Sequence, residues 1–295
     1  MRRFGSVTAV DGIDLVVEPG SVTGILGPNG SGKSTFLRIL IGLVRPDAGT
    51  ATVAGVALRG DGTAIRRAVT FSPGEIALYG EMRADEQLTW LLRGRSKASA
   101  ARAKSLALRL GLPLEKKIHQ YSHGMKRQLL FSAAMGPDVA LRILDEPTEG
   151  LDPAKRREVL GVIEEDCARG GTVLLSSHHL SEVEEVCERL VFFHTGRILA
   201  DEEPAELVRR ARRNLRLEYA DEADAVAMAE LLAGRAGVAS LEREGTLLRL
   251  ELEAVDSRGF LAELAGLGGP APLVVEAGRL SLVDLYRTVY GVSGL

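Results

Sequence analysis

Apolar and polar positions alternate along the chain in a way that predicts strands and helices in turn, from its start to about residue 200. Short apolar runs typical of buried strands are SVTGIL at 21–26, LRIL at 141–144 and TVLLSS at 172–177. Apolar residues recur at helical spacing in KSTFLRILIGLV, and residues 83–135 are mostly helical in pattern. Strands that alternate with helices predict an α/β fold, in which helices cover a largely parallel sheet.

The pattern changes at the basic, linker-like stretch RRARRN, residues 209–214, whose arginines are more typical of a solvated helix end than of a lipid contact. Beyond it, the predicted order is strand, helix, strand, strand, helix, strand, which is the split βαβ arrangement. A last helix is predicted in SLVDLYRTVYG. We therefore expect one domain at 1–210, with a helical subdomain at about 75–137, and a small α+β domain at 211–295.

Composition and charge narrow the class of protein. Hydrophobic residues make up 45% and charged residues 26% of the 295 positions, which is typical of a soluble globular protein. The net charge of -3 gives no indication of nucleic-acid binding. No apolar run approaches the ~20 residues that span a bilayer, and no signal peptide is recognisable. Cys167 and Cys187 lack metal-ligand spacing, and we expect buried, reduced thiols.

Residues 27–34, GPNGSGKS, match the pattern of a phosphate-binding loop. Glycines let successive backbone N–H groups converge on phosphate oxygens, and the helix that follows presents its N-terminus to the anion. Lys33 can then reach the outer phosphates, and the Ser34 hydroxyl can ligate magnesium. A plain glycine-rich turn is the alternative, which the apolar strand before the loop and the amphipathic helix after it disfavour.

Two carboxylates, Asp145 and Glu146, follow in series at the end of the apolar run LRIL. In a phosphoryl-transfer site, one carboxylate holds magnesium and the other can polarise the attacking water. Neighbouring residues of a strand point to different sides, so two adjacent acids can divide these roles. The alternative is a surface Asp-Glu pair before a proline turn, which the preceding apolar strand disfavours.

Four motifs, in this order, resemble those of the ATP-binding subunits of ABC transporters over about residues 4–200. GPNGSGKST resembles Walker A, YSHGMKRQ the signature motif, LRILDEPTEGLD Walker B with the D-loop, and SSHHLSEVE the switch-histidine segment. The resemblance implies a P-loop NTPase fold that binds and hydrolyses ATP with Mg²⁺. It also implies a head-to-tail dimer with each ATP sandwiched between two subunits. Because the chain has one set of motifs, it would pair with itself or with a related subunit.

The resemblance further implies a role for particular residues. Glu146 would activate the attacking water, assisted by His178 rather than His179 as the switch histidine. Asp145 and Ser34 would hold magnesium. The residues that would bind the nucleotide are Phe4, stacked on adenine, and Gly27, Asn29, Gly30, Gly32, Lys33, Ser34 and Thr35 of the phosphate loop. In the signature and D-loop, the matching residues are Ser122 and Gly124, acting on the partner subunit's ATP, and Asp152.

The chain departs from the family pattern at four places. The signature has Ser-His-Gly-Met where the commonest form has Ser-Gly-Gly-Gln. Arg142 interrupts an apolar strand and needs a partner or an exit to solvent. Phe4 lies closer to the first residue than in related domains, and a misplaced start site would explain this. Gly74 in VTFSPGE falls where the family has a glutamine that senses magnesium and the attacking water. Glu75 could take over as a metal ligand, with a plain turn as the alternative.

A separate transmembrane permease is implied as a partner, with the chain a peripheral subunit at the cytoplasmic face of the membrane. Residues 75–100 correspond to the segment that grips a permease, and Ile76, Leu78 and Tyr79 would form an apolar docking surface. The alternative is a helical subdomain that packs its own core. The domain order resembles bacterial export-type ABC ATPases, including antibiotic-resistance systems. The alternative functions are a non-transport ABC ATPase acting as a soluble nucleotide-driven switch, or a module that holds ATP without turnover.

Overall fold

The computed structural model describes residues 1–253 and 257–278, and the chain divides into two compact units, Met1–Asp201 and Glu202–Leu295. The strands of the first unit are β1 (Arg2–Phe4), β2 (Val7–Val10), β3 (Val22–Leu26), β4 (Thr52–Val53), β5 (Val56–Ala57), β6 (Val69–Ser72), β7 (Leu141–Asp145), β8 (Val173–Ser177), β9 (Arg189–His194) and β10 (Arg197–Glu202), which reaches the boundary. Its helices are α1 (Lys33–Leu40), α2 (Thr63–Ala68), α3 (Ala84–Leu91), α4 (Lys97–Arg109), α5 (His123–Met135), α6 (Pro153–Cys167) and α7 (Leu180–Val183), with a 3-10 helix at Ile118–Gln120.

The central sheet has six strands in the order β10-β9-β3-β8-β7-β6. The pairs β3 with β8, β3 with β9, β7 with β8 and β6 with β7 are all parallel. The predicted α/β fold with a largely parallel sheet is thereby confirmed. Since the carboxyl ends of parallel strands lie at one edge of a sheet, the segments that follow β3, β6, β7 and β8 meet there.

Helix α1 packs against this sheet through the apolar stripe recognised in the sequence. Phe36, Leu37 and Ile39 are buried in one cluster with Ile25 of β3 and other strand residues. The rings of Phe36 and Phe193 have their centroids 5.4 Å apart. This packing fixes the start of α1, and therefore the loop before it, relative to the strands.

Helices α3, α4 and α5 surround a core of their own, which includes Leu88, Ala103 and Leu129. Ala103 also comes close to the end of α5, where a Cβ at Gly136 would lie 2.7 Å from the Ala103 Cβ. Small residues therefore allow α4 and α5 to approach closely.

Of the residues in the predicted docking surface, Leu78 packs into this helical core and Tyr79 is exposed to solvent. Leu78 packs against the core of α3, α4 and α5, in the manner of the alternative interpretation. Tyr79 is 52% exposed, and its ring meets that of Trp90 edge-on at a centroid distance of 4.9 Å. Tyr79 and Trp90 are thus the exposed large apolar side chains of residues 75–100, and a role in docking stays a prediction.

Arg142, the charged residue within the apolar strand β7, is buried and has a partner. Its Nη1 lies 2.9 Å from Asp166 Oδ2 near the end of α6, and its Nη2 donates to the Pro137 carbonyl at 3.1 Å. Burial lowers the pKa of Arg142, and the nearby Asp166 carboxylate acts in the opposite direction. The buried guanidinium is tolerated because the Asp166 carboxylate balances its charge and the Pro137 carbonyl accepts a hydrogen bond from it.

Removing the carboxylate alone is expected to destabilise the protein strongly. Asp166→Ala leaves a buried guanidinium without its counter-charge, and the free energy of unfolding should fall by about 3 kcal/mol. Urea denaturation of the purified protein measures this difference. The double variant Arg142→Leu with Asp166→Ala should recover most of the loss, because no buried charge remains. An unchanged urea midpoint in Asp166→Ala would contradict the pairing.

The second unit begins with the helix α8 (Pro204–Ala211) and continues with β11 (Asn214–Glu218), α9 (Glu222–Leu232), β12 (Val238–Glu244), β13 (Leu247–Leu252), α10 (Ser257–Ala265) and β14 (Val274–Ala277). Its four strands form a sheet in the order β12-β13-β11-β14, with antiparallel neighbours. This is the predicted split βαβ arrangement. The core contains Leu215 and Leu217 of β11 with Met228 of α9.

The boundary between the compact units lies earlier in the chain than the predicted domain boundary at 210/211. Residues 209–211 form the end of α8, as the helix-end interpretation of the arginines expects. The helix predicted in SLVDLYRTVYG lies outside the described residues. Among residues that the structure does describe, no helix has both the length and the apolar character needed to cross a membrane.

Candidate active site

A cavity of about 450 Å³ lies where the carboxyl ends of β3, β6 and β7 meet. Six predicted nucleotide-binding residues line it, namely Asn29, Gly30, Gly32, Lys33, Ser34 and Thr35. Other lining residues come from three further segments, namely Val7, Thr8 and Ala9, then Gly74 and Glu75, and then Asp145, Glu146 and Glu149. The residues of two separate sequence motifs thus face one space that is large enough for phosphate groups.

The loop between β3 and α1 has a conformation that requires glycine at its end. Gly32 has φ 103°, and a Cβ there would lie 2.2 Å from the carbonyl oxygen of Ala9. Lys33 follows, with a buried side chain whose Nζ donates to the Gly27 carbonyl at 2.7 Å. The N-terminus of α1 and the Lys33 ammonium together make this part of the cavity suited to an anion.

Asp145 ends β7 and is 1% exposed. Its Oδ1 accepts hydrogen bonds from Ser176 Oγ at 2.7 Å and from Ser34 Oγ at 3.1 Å. Its Oδ2 has no hydrogen-bond partner among the described residues. A buried carboxylate oxygen needs a partner, and a hard divalent cation next to a hydroxyl supplies one. The residues present therefore fit Mg²⁺.

Glu146 has a backbone conformation that is rare for a residue with a side chain, φ 50°. Its N–H donates to Ser176 Oγ at 3.0 Å, which helps to hold this conformation. Its carboxylate lies between two basic groups, with Oε2 2.9 Å from His178 Nδ1 and Oε1 3.4 Å from Lys33 Nζ. Left-handed backbone at a polar residue that faces a cavity is typical of functional positions.

The structure brings His178, and not His179, to the predicted glutamate. Because a carboxylate accepts hydrogen bonds, His178 donates its Nδ1 hydrogen to Glu146. The ring of His179 lies beside that of His178, with centroids 3.9 Å apart. The imidazole next to the cavity is therefore oriented by Glu146.

The signature residues lie at the start of α5, outside the lining of this cavity. Ser122 is the N-cap and accepts a hydrogen bond from the N–H of Met125 at 3.2 Å. A Cβ at Gly124 would lie 3.2 Å from the Gly150 carbonyl oxygen. A Cβ at Gly150 would in turn lie 2.8 Å from His123 Cδ2. The histidine that departs from the family pattern thus packs against the D-loop.

Asp152, the predicted D-loop aspartate, is also the N-cap of α6. Its Oδ1 accepts hydrogen bonds from the N–H groups of Ala154 and Lys155, both at 3.0 Å. Pro153 follows at the first helical position, where a missing N–H costs nothing. The aspartate therefore fixes the point at which the D-loop becomes helix α6.

Phe4 does not line the cavity. Its ring is 48% exposed, and the Arg2 guanidinium lies over it at 4.6 Å from the centroid. Val7, Thr8 and Ala9 of the paired strand β2 face the phosphate loop instead. Stacking of Phe4 on adenine stays a prediction.

Glu75 lies at the rim of the cavity, and its carboxylate is turned toward α1. The side chain is 85% exposed, with Oε1 3.0 Å from Arg38 Nη2. Gly74 is the residue next to the Walker B carboxylate, since a Cβ there would lie 3.2 Å from Asp145 Oδ2. A side chain at position 74 would therefore crowd the Asp145 carboxylate, and metal binding by Glu75 stays a prediction.

Ser176 is a residue of this site that the sequence analysis missed. It connects the two carboxylate residues, because its hydroxyl donates to Asp145 and accepts from the Glu146 N–H. The available signal was a hydroxyl residue at the end of the otherwise apolar run TVLLSS. The phosphate loop, the paired carboxylates and the histidine at the edge of a parallel sheet define a P-loop nucleotide-binding site.

Comparison with known proteins identifies the family. The profile described as ABC transporter matches residues 10–149. The daunorubicin/doxorubicin resistance ATP-binding protein of Streptomyces peucetius is 35% identical over 274 residues, which cover 90% of this chain and 82% of the relative. The Nod factor export ATP-binding protein I of Paraburkholderia xenovorans is 36% identical over 214 residues, or 70% of each chain.

Solved structures agree with this assignment. The structure of an ATP-binding subunit of an ABC transporter superposes with a TM-score of 0.63 at 30% identity, covering 70% of this chain and 88% of that one. A dimeric ATP-binding cassette bound to ADP and phosphate shares the fold with a TM-score of 0.62 at 23% identity, covering 69% and 94%. The chain belongs to the ABC transporter family, as one of its ATP-binding subunits, and is an ATPase.

Proposed function

We propose that this chain binds and hydrolyses ATP to power a separate membrane permease that exports a drug-like or other small compound. The observation that carries the ATPase mechanism is the position of the Glu146 carboxylate, between Lys33 and His178 at the edge of the phosphate cavity. Export is supported by the relatives, which are named for resistance to daunorubicin, resistance to linearmycin and export of Nod factor.

In this mechanism, Glu146 accepts the proton of the attacking water, and His178 holds the carboxylate in place through its Nδ1 hydrogen bond. Lys33 places a positive charge next to the phosphate loop, where it neutralises negative charge on the outer phosphates. The backbone N–H groups of the loop and of the start of α1 bind the remaining phosphate oxygens. The phosphate loop thus holds the nucleotide, and Glu146 activates water next to it, within 3.4 Å of Lys33.

Mg²⁺ is the metal that we assign to this site. Asp145 and Ser34 would hold it, since Asp145 Oδ2 is buried without a hydrogen bond among the described residues and the Ser34 hydroxyl is bonded to the same carboxylate. Such a magnesium ion would supply positive charge that offsets the negative charge developing on the phosphate oxygens during transfer. ATP and Mg²⁺ are therefore the proposed substrate and cofactor.

We place the ATPase in a dimer, in which Ser122 and Gly124 of each subunit contact the ATP of the other. This arrangement is supported by the exposed start of α5 at Ser122 and His123, because the N-terminus of a helix attracts phosphate. The ATPase function is assigned to residues 1–210, including the helical subdomain at about 75–137, and the accessory domain to 211–295. The proposed location is the cytoplasmic face of the membrane, where the subunit binds its permease.

The decisive experiment co-expresses this chain with candidate membrane proteins from neighbouring genes, tests for co-purification, and then measures the ATPase activity of the reconstituted complex. We expect Mg²⁺-dependent ATP turnover that rises when the permease is present. Compounds that the permease exports should change this rate of turnover. Turnover that is indifferent to every such membrane protein would favour the alternative, a soluble nucleotide-driven switch. Nucleotide binding without turnover would contradict the ATPase assignment.

Substitution of Glu75 tests whether this residue contacts the metal when ATP is bound. If Glu75 leaves Arg38 and approaches the metal when ATP binds, Glu75→Ala should reduce the permease-dependent rise in turnover severalfold. Arg38→Ala is the matched variant, because it removes the other half of the exposed ion pair without removing a carboxylate. If both variants show the same permease-dependent rise in turnover as the wild type, the segment is a plain turn without a role in metal binding.

A further inference from the structure

Arg127 lies on α5, the helix that Ser122 caps, and is 1% exposed. Its guanidinium bonds to two loops at once. Nη1 donates to the Pro73 carbonyl at 3.1 Å, and Nη2 donates to Glu149 Oε2 at 2.9 Å. A planar guanidinium holds two acceptors in fixed directions, so these two loops are fixed relative to each other and to α5.

Both loops belong to the nucleotide site. Pro73 directly precedes Gly74, which lines the cavity beside Asp145. Glu149 lines the same cavity, and its N–H donates to the Glu146 carbonyl at 3.3 Å. Through one side chain, α5 is therefore connected to the turn that contains Glu146 and to the segment that replaces the family's glutamine.

The charge of Arg127 makes this connection hard to break. A buried guanidinium is costly unless it is paired and hydrogen-bonded, so the bridged arrangement is the one in which the fold tolerates it. Burial lowers the pKa of Arg127, while the carboxylates of Glu149, Asp145 and Glu146 act in the opposite direction. Moving α5 without moving both loops would leave this charge without acceptors.

We propose that Arg127 is a positioning residue that couples the two ATP sites of the dimer. It links the signature helix, which in the proposed function contacts the partner subunit's ATP, to Glu146 at the ATP of its own subunit. When α5 moves toward the partner's nucleotide, Pro73 and Glu149 move with it. Because Gly74 has no side chain to form a link, the connection runs from the main chain of Pro73 through Arg127 instead.

Arg142 provides a matched control within the same chain. It too is a buried arginine, with one carboxylate partner at 2.9 Å and one proline carbonyl at 3.1 Å. Burial lowers the pKa of both arginines. Arg142 lies at the start of β7, whereas the catalytic edge is at its end, so loss of Arg142 disturbs the fold without touching the nucleotide loops.

The experiment compares Arg127→Met and Arg142→Met in the full-length ATPase with its permease, measuring turnover against ATP concentration, nucleotide affinity and thermal unfolding. We expect a sigmoidal wild-type curve, because two ATP molecules close one dimer. Arg127→Met should lower kcat about tenfold or more, because misplaced catalytic groups react more slowly. The dependence of turnover on ATP concentration should become hyperbolic, while nucleotide affinity stays unchanged. Arg142→Met should lower the unfolding temperature but keep kcat and the sigmoidal shape. Equal kinetics in the two variants, or a hyperbolic wild-type curve, would overturn the coupling.

Variants of Glu149, the carboxylate partner of Arg127, provide a second test if Arg127→Met does not fold. Its side chain is 47% exposed, so its replacement is tolerated better than that of a buried arginine. Glu149→Gln retains an acceptor for Arg127 and should keep the sigmoidal curve, whereas Glu149→Ala should behave like Arg127→Met. The double variant should lose no more than Arg127→Met alone. Wild-type kinetics in Glu149→Ala would overturn the inference.

The inference and the proposed function on which it rests fail in different ways. Turnover in the wild type that Glu146→Gln abolishes supports the ATPase mechanism whatever Arg127 does. If this holds while Arg127→Met and Glu149→Ala leave kcat and cooperativity unchanged, only the coupling is overturned. Absence of turnover in the wild-type complex overturns both.

Discussion

Glu146→Gln should reduce ATP turnover at least about 100-fold, because an amide cannot accept the proton of the attacking water. Nucleotide binding should persist, since Lys33 and the phosphate loop are unchanged. The amide still accepts the hydrogen bond from His178, so the local geometry is kept. Steady-state phosphate release and titration with a fluorescent ATP analogue measure the two properties separately.

The control for this variant is Glu165→Gln, which makes the same chemical change at an exposed residue. Glu165 pairs with Arg109 on the surface, where ion pairs contribute little to stability. We expect wild-type turnover in Glu165→Gln. Turnover that survives in Glu146→Gln would show that another group activates the water.

Lys33→Met should weaken ATP binding about tenfold or more, which corresponds to the loss of a hydrogen bond from a charged group. The side chain is buried at the start of α1, and its ammonium lies 3.4 Å from Glu146 Oε1. Turnover should fall further than binding, because charge on the outer phosphates is then less well neutralised. Nucleotide titrations with and without Mg²⁺ give the affinity directly.

Lys155→Met is the matched control for the loss of a lysine ammonium. Lys155 pairs with Glu158 within α6 and donates to the Leu110 carbonyl, away from the phosphate loop. Its replacement should leave ATP affinity unchanged. An affinity in Lys33→Met equal to that of the wild type would contradict contact between Lys33 and the phosphates.

The arrangement of the candidate site follows from two facts that the sequence carries. Lys33, Asp145, Glu146 and His178 each follow a predicted strand, and parallel strands bring their carboxyl ends to one edge. The apolar runs were sufficient to locate β3, β7 and β8. The catalytic roles of these residues remain predictions that the variants above test.

Other contacts depend on packing that no local pattern specifies. Arg142 finds Asp166 because the end of α6 reaches the start of β7, a meeting that only the assembled sheet creates. Glu75 turns toward Arg38 because of the direction of the chain after Gly74, which periodicity does not give. Arg127 belongs to the signature motif, yet its partners come from two other loops.

The backbone of Glu146 has a consequence for the evolution of this protein in the laboratory. At φ 50°, asparagine or glycine fits this position with less strain than glutamate does. A library selected only for heat resistance would therefore enrich such residues at position 146 and lose ATP turnover at the same time. Selection for stability and selection for function oppose each other at this residue. A screen for more stable variants therefore has to measure ATPase activity as well.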